Sequence, residues 1–262
     1  MNTKIIEIAN IAVISSGKII KKMMGKAKID YKGEIDLVTE ADKLSQQNII
    51  DIISQNFPDH TILAEEGENR NTSSDYRWII DPLDGTTNYA HGFPFFCVSI
   101  GVEYKGKLIV GVVYDPNRNE LFSAELGKGA YLNGEPIHVS DTTSLDKSLL
   151  ATGFPYDIRT NPNNNLNYFV KFSQRTHGVR RPGAAALDLC YLAAGRLDGF
   201  WELKLNPWDV AAGTLIIIEA GGMVTDMNNK EFKLDSYEIL ASNGKIHSQM
   251  YKVIQEVKAS SN

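Results

Sequence analysis

What the sequence has little of narrows it first. Cysteine is scarce: Cys97 and Cys190 are the two in 262 residues, and both sit in apolar stretches, FFCVSIGV and ALDLCYLAAG. Two thiols make no disulfide framework, and no Cys/His spacing of the zinc-site kind is present. Buried free thiols in a reducing compartment are expected. Long apolar runs are missing too, since nothing approaches the ~18 residues of a membrane span. Basic charge is not in excess: 27 Lys and Arg stand against 32 Asp and Glu, a net charge of -5. That balance argues against direct nucleic-acid binding. The first residues, NTKIIEIANIAVISSGKIIKKMMGK, lack a leader's features, because Glu7 breaks the apolar run and lysines follow it. The expectation is a cytoplasmic protein without a membrane anchor.

What is present is ordinary globular material, 43% hydrophobic and 23% charged, enough for a core without staples. The N-terminal stretch reads as an amphipathic helix with Ile5, Ile8, Ala12, Ile19 and Met23 on its buried stripe. YKGEIDLVTEAD reads as a short extended piece entering a second helix, whose apolar face is Leu44, Ile49, Ile52, Ile53 and Phe57, stopped by Pro58. HTILAEEG is a short strand, ENRNTSSDY a polar, mobile loop, and RWIID the next strand. FCVSIGVEY, KLIVGVVYD, ELFSAELG and GAYLNGEPIHVS, split by turn signals, read as an antiparallel meander. Then come a strand (LLATGFPYD), a helix (NNNLNYFVKFSQRTHG), an apolar helix (AAALDLCYLAAGRL), a strand (DGFWELKL) and a buried helix (WDVAAGTLIIIEAGG) closed by Gly221 and Gly222. A strand (YEILASNG) and a helix (IHSQMYKVIQEVK) finish the chain. The class is α+β or layered α/β. Residues 1–262 read as one domain with two subdomains, 1–142 and 143–262.

Four acidic positions share one local grammar, each at the end of a strand or the start of a helix. They are Glu65 in LAEEG, Asp81 and Asp84 in DPLDGTT, and Asp209 in NPWDVAAG. Singly, each has a plain reading: Asp209 as a helix N-terminal acid, Glu65 as a solvated strand end, Asp81 and Asp84 as turn acids. Together they match what a hard divalent cation takes, a few protein oxygens with water and phosphate completing the shell. Acids at strand ends can also converge on one crevice. Gly85 and Thr86 follow directly. A glycine turn entering a helix offers backbone N–H groups to an anion.

WIIDPLDGTTNYAHGFPFFCVSIGV, DLVTEAD, LAEEG and NPWDVAAGTLIIIEAGG together resemble the inositol monophosphatase family, over essentially the whole chain. GVRRPGAAALDLCYLAAGRLDGFWE resembles its bacterial branch. The resemblance implies an αβαβα sandwich of the inositol monophosphatase and fructose-1,6-bisphosphatase type. It also implies a homodimer, and hydrolysis of small phosphate monoesters that depends on Mg²⁺ and is inhibited by lithium. By position, Glu65, Asp81 and the Leu83 carbonyl match the ligands of a first metal. Asp81, Asp84 and Asp209 match those of a second, and a third, weaker metal lies near Glu65. Gly85 and Thr86 match the phosphate amides. Thr86 with Asp42 matches the pair that activates water, with Glu65 in the same catalytic set. Arg180, Gly183, Ala185 and Glu202 match substrate contacts. Asp36 reads as loop support, Glu66 as pointing away from Glu65, His91 as a bystander, and Cys190 and Tyr191 as core.

Three functions compete. The first is myo-inositol 1-phosphate hydrolysis, favoured by Glu202. The second is a phosphatase of the same fold acting on fructose 1,6-bisphosphate, histidinol phosphate, NADP or a nucleotide 3′-phosphate, with Arg180 and Arg181 serving a second phosphate. The third is a protein partner in bacterial transcription or RNA processing.

Overall fold

A computed structural model describes residues 2–27, 29–31, 37–67 and 69–260. Asp36, expected to support a loop, lies outside the described residues. The elements are α1 (Asn2–Met23), β1 (Ile29–Tyr31), β2 (Leu37–Thr39), α2 (Glu40–Asn56), β3 (Thr61–Ala64), β4 (Tyr76–Asp84), α3 (Thr86–Ala90), β5 (Cys97–Tyr104), β6 (Lys107–Asp115), β7 (Glu120–Glu125), β8 (Ala130–Leu132) and β9 (Glu135–Ile137). They continue with β10 (Leu149–Thr152), α4 (Leu166–Ser173), β11 (Gly178–Arg180), α5 (Ala185–Ala193), β12 (Gly199–Leu203), α6 (Pro207–Glu219), β13 (Met223–Thr225), β14 (Glu238–Ser242) and α7 (His247–Ser260). Among the described residues no helix is long and apolar enough to cross a membrane.

Two sheets organise the layers. The larger runs β3-β4-β5-β6-β7-β8-β9, antiparallel apart from its first pair. The smaller runs β11-β10-β12-β14-β13 and is mixed. Helices α1 and α2 cover one face of the large sheet, α5 and α6 lie between the sheets, and α4 and α7 cover the outer face of the small one. Three hydrophobic clusters fill the gaps. Ile5, Ile49, Trp78 and Ile100 belong to the first, Val113, Leu189, Ile216 and Phe200 to the second, and Phe172, Trp201 and Ile254 to the third. The result is the expected αβαβα sandwich.

Local expectations fail where tertiary packing overrides pattern. On α1 the buried position is Ile20, with Ile19 only half-buried. On α2 Leu44 is exposed, and Ile49 and Ile53 carry the contact. Strands β11 and β13 have three residues each, too short for period-two alternation to be read. The loop before β4 is tied down by Arg70, which donates to the carbonyls of His60 and Phe57 and to Ser54 Oγ, and whose backbone bridges Ile62.

One packing decision places the site. Gly101 on β5 and Gly111 on β6 sit opposite each other in register. A Cβ on Gly101 would stand 2.6 Å from Ala211 Cβ, and one on Gly111 would stand 2.6 Å from the Ala212 carbonyl oxygen. The missing side chains let α6 approach the sheet backbone. Helix α6 begins at Pro207, so this approach carries Asp209, in its first turn, to the end of β4.

Candidate active site

Strand β4 does not stop at Asp81, as its Asp-Pro sequence leads one to expect, but runs on to Asp84. In a regular strand, residues three apart face opposite sides. Here Asp81 pairs with Ser99 while Asp84 pairs with Cys97, so Pro82 and Leu83 together oppose Val98. This bulge tolerates a proline, which has no N–H to give the ladder. It also resets the parity, so both carboxylates face α6. Leu83 N–H donates to Asp81 Oδ1 at 3.0 Å. Asp84 Oδ2 accepts from the Ala186 N–H at 2.7 Å, which ties it to the start of α5.

The other acids arrive from separate elements. Glu65 follows β3, and its N–H donates to the Ile80 carbonyl. Asp209 Oδ2 accepts from Asn206 N–H at 2.7 Å, closing a capping box, so its helix-terminal reading is correct as far as it goes. Glu65, Asp84 and Asp209 line one crevice of about 340 Å³ with Gly85, Thr86, Gly183, Ala185 and Glu202, and Asp81 is buried behind them. Asp84 and Asp209 are each raised to about 7, first by burial, against the lowering backbone N–H of Ala186 or Asn206 and with help from an acid neighbour: Glu65 for Asp84, and Asp84 for Asp209. Asp81 is held well above the ordinary carboxylate range by burial, then by Glu65, Asp84 and Asp209. Four carboxylates that repel one another are expensive to hold together without a cation.

Among the described residues, no three His, Cys, Asp or Glu side chains close into a ready-made metal cage. The donor set is nonetheless all oxygen, in a crevice large enough for water and phosphate. That fits a small hard cation that keeps part of its shell from solvent and substrate, and excludes a soft-metal site.

Beside the acids, Gly85 has φ 90° and caps α3. A Cβ there would stand 3.0 Å from the Phe95 carbonyl oxygen and 3.2 Å from Ala184 Cβ. Only glycine meets both demands. Thr86 Oγ1 is within donating distance of Asp42 Oδ1 (3.2 Å) and of the Leu83 carbonyl (3.0 Å). The far oxygen of Asp42 accepts from Thr39 N–H and Thr39 Oγ1. Burial raises Asp42 to about 6, the Thr39 bonds pull it down, and Glu66 pushes it up. Strand β3 ends at Ala64, and Gln46 Oε1 holds the following turn by accepting Glu66 N–H, so alternation does not govern Glu66.

Glu202, on β12, is buried and raised to about 8, first by burial and then by Asp209, against a lowering by Arg181. Arg180, expected as a substrate contact, is not among the residues that line the crevice. Arg180 is exposed, ends β11 and donates to its neighbour's carbonyl, whereas Arg181 lines the crevice. Consecutive residues leaving a strand face opposite ways, and the strand was too short to be read. Asp188 is a lining residue the pattern missed. Its signal, one acid in an otherwise apolar helix, was there to be used. Phe154, Tyr156 and Lys204 complete the mouth, with Lys204 held by Asp157. His91 ends α3 in solvent, and Cys190 is core.

A five-layer sandwich with four acids from three separate segments gathered at one crevice is the arrangement of a layered phosphatase. The sequence profile of the inositol monophosphatase family matches residues 1–259, and the chain belongs to that family. It is a phosphatase of that kind. Inositol-1-monophosphatase from Synechocystis sp. is 49% identical over 252 residues, covering 95% of this chain and 88% of its own. The Nus factor SuhB of Pseudomonas aeruginosa is 43% identical over 258 residues, covering 95% of each. The structure of inositol monophosphatase from Anabaena (Nostoc) sp. superposes with a TM-score of 0.90 at 45% identity, over 98% of this chain and 97% of the other.

Proposed function

We propose that the protein hydrolyses small phosphate monoesters with Mg²⁺, and that myo-inositol 1-phosphate is its substrate. The observation that carries this is the convergence of Glu65, Asp84 and Asp209 on one crevice, with Asp81 buried behind them. Glu65, Asp81 and the Leu83 carbonyl would hold one cation, and Asp81, Asp84 and Asp209 a second, with room for a weaker third beside Glu65. When bound, such cations supply Lewis acidity to the phosphoryl oxygens and to the attacking water. The chain's own part is positioning. The amides of Gly85 and Thr86 orient the phosphate. Thr39 fixes one oxygen of Asp42, leaving the other to the Thr86 hydroxyl, so that Asp42 and Thr86 align the water and take up its proton. Gly183, Ala185 and Glu202 face the alcohol, where a carboxylate suits a polyol better than a second phosphate. Arg181, at the rim, is the residue that would serve a bisphosphate.

A panel of myo-inositol 1-phosphate, fructose 1,6-bisphosphate, histidinol phosphate, NADP and a nucleotide 3′-phosphate, at fixed Mg²⁺ with and without lithium, tests the choice. The inositol ester should rank first and lithium should inhibit; a different ester far ahead sinks the substrate assignment. The same reading carries a cytoplasmic homodimer, which light scattering checks for its stoichiometry. A second reading, a protein partner in transcription, is favoured by the relative named Nus factor SuhB. A deletion strain rescued by an inactive Asp84→Asn chain would support it.

A further inference from the structure

The crevice holds two buried acids that the cation set leaves unused, Asp188 on α5 and Glu202 on β12. Asp188 is 1% exposed, and its Oδ1 has no hydrogen-bond partner. Such an orphan is rare in a folded protein, because burying an acceptor without a donor costs free energy. Helix chemistry does not account for it. Asp188 lies in the first turn of α5, yet the helix carries no side-chain cap bond, and Leu187, Leu189 and Cys190 around it are all buried apolar residues. It lines the crevice, and the charges that act on it most are Glu202, Asp84 and Arg181, in that order.

Glu202 is the second half of the arrangement. It lies against the backbone of Gly153 so closely that a Cβ there would stand 2.1 Å from Oε1 and 2.4 Å from both Oε2 and Cδ. The whole carboxyl group occupies the space a side chain at 153 would take. Its position is therefore set by the backbone at the end of β10. Asp188 and Glu202 come from two elements, both are nearly dry, and Arg181 at the rim offsets part of their charge.

We propose that Asp188 is a substrate-binding residue. Asp188 and Glu202 form a pair of acceptors for two neighbouring hydroxyls on the alcohol half of the ester. This rests on the phosphatase reading and deepens it. Two buried acid side chains pair with alcohol O–H groups and offer a second phosphate no positive charge, so the crevice selects polyol phosphates. Esters with no hydroxyl near the phosphate leave the acceptors unpaired and gain nothing from them.

Asp188→Asn keeps the volume and exchanges an acceptor oxygen for a donor. For myo-inositol 1-phosphate, kcat/KM should fall about ten-fold or more, mainly through KM, a scale set by leaving a buried hydrogen-bonding group unpaired. For phenyl phosphate, which has no alcohol hydroxyl, it should stay within about two-fold. Equal losses on both esters, or none on either, overturn the proposal. Titration with free myo-inositol, in the presence of Mg²⁺ and inorganic phosphate, reads the same subsite without turnover. Wild type should bind and Asp188→Asn should bind about ten-fold more weakly; no binding to wild type, or equal binding to both, overturns the assignment. A wild type that binds inositol but hydrolyses neither ester would sink the phosphatase reading and leave the subsite standing. Asp188→Ala repeats the titration should the asparagine variant misfold.

Discussion

Buried carboxylates occur in two regions of this protein and behave differently. Away from the crevice, Asp115 is fully buried, and it accepts from Asn117 N–H, Arg118 N–H and the Arg118 guanidinium. Asp198 is 7% exposed and accepts from Ser140 Oγ on one oxygen and Leu149 N–H on the other. These acids are satisfied by the chain itself, Asp115 within its own turn and Asp198 by segments far away in sequence. In the crevice, Asp81 and Asp209 each take one backbone N–H, Asp84 takes the Ala186 N–H and the Cys97 thiol, and the acids otherwise face one another. A satisfied acid stabilises a fold, whereas an unsatisfied set stores a demand for cations.

Exchanging one acid from each region should break the comparison most sharply. Asp84→Asn should lower kcat on the order of a thousand-fold, since a cation's stabilisation of the transition state is worth several kcal/mol. Its metal-free form at pH 8 should melt no lower than wild type, because a repelling charge is gone. A near-wild-type rate would end the cation assignment, and a collapse in stability would put Asp84 with the structural acids. Asp198→Ala should do the reverse. It strands the Leu149 N–H and the Ser140 hydroxyl, costs about 2–3 kcal/mol, and leaves kcat within a few-fold in a folded sample. Chemical denaturation beside a steady-state assay reads both.

Proton and metal should trade places in the crevice. Asp84 and Asp209, at about 7, and Glu202, at about 8, hold protons in the folded state that the unfolded chain has already released. The native state therefore binds more protons, and metal-free stability falls as pH rises from 6.5 to about 8.5. Below 6.5 the buried His247, lowered to about 4, opposes this trend, so the comparison belongs above that pH. Mg²⁺ should raise the melting temperature more at pH 8.5 than at 6.5; a gain independent of pH would show that the acids do not meet the cation. The smallest effect is expected at the surface. Arg175→Ala removes a bidentate pair with Glu256 between two solvent-accessible side chains, and should cost less than about 1 kcal/mol.

The sequence carried the layers and the acids better than the walls of the crevice. The DPLDGTT and NPWDVAAG stretches are local signals, and so are long periodic helices such as α6. The bulge that turns Asp81 and Asp84 to one side is a matter of pairing with β5, which β4 alone does not display. Ile20 replaces Ile19, and Leu44 is exposed, because neighbouring elements decide which edge of a helical stripe is covered. Arg181 and Asp188 were hidden by a three-residue strand and by an apolar helix that reads as core throughout. Gly153 was legible as a glycine and nothing more, since its meaning depends on a glutamate 49 positions later.

The paired glycines under α6 have a consequence for how the site comes into being. Glu65, Asp81 and Asp84 belong to the large sheet, while Asp209 reaches them only when α6 settles against Gly101 and Gly111. A chain with that helix undocked has its acids dispersed and no shared appetite for a divalent ion. On the proposed reading, cation capture should follow the seating of α6, and divalent-ion uptake during refolding should time the docking of that one helix.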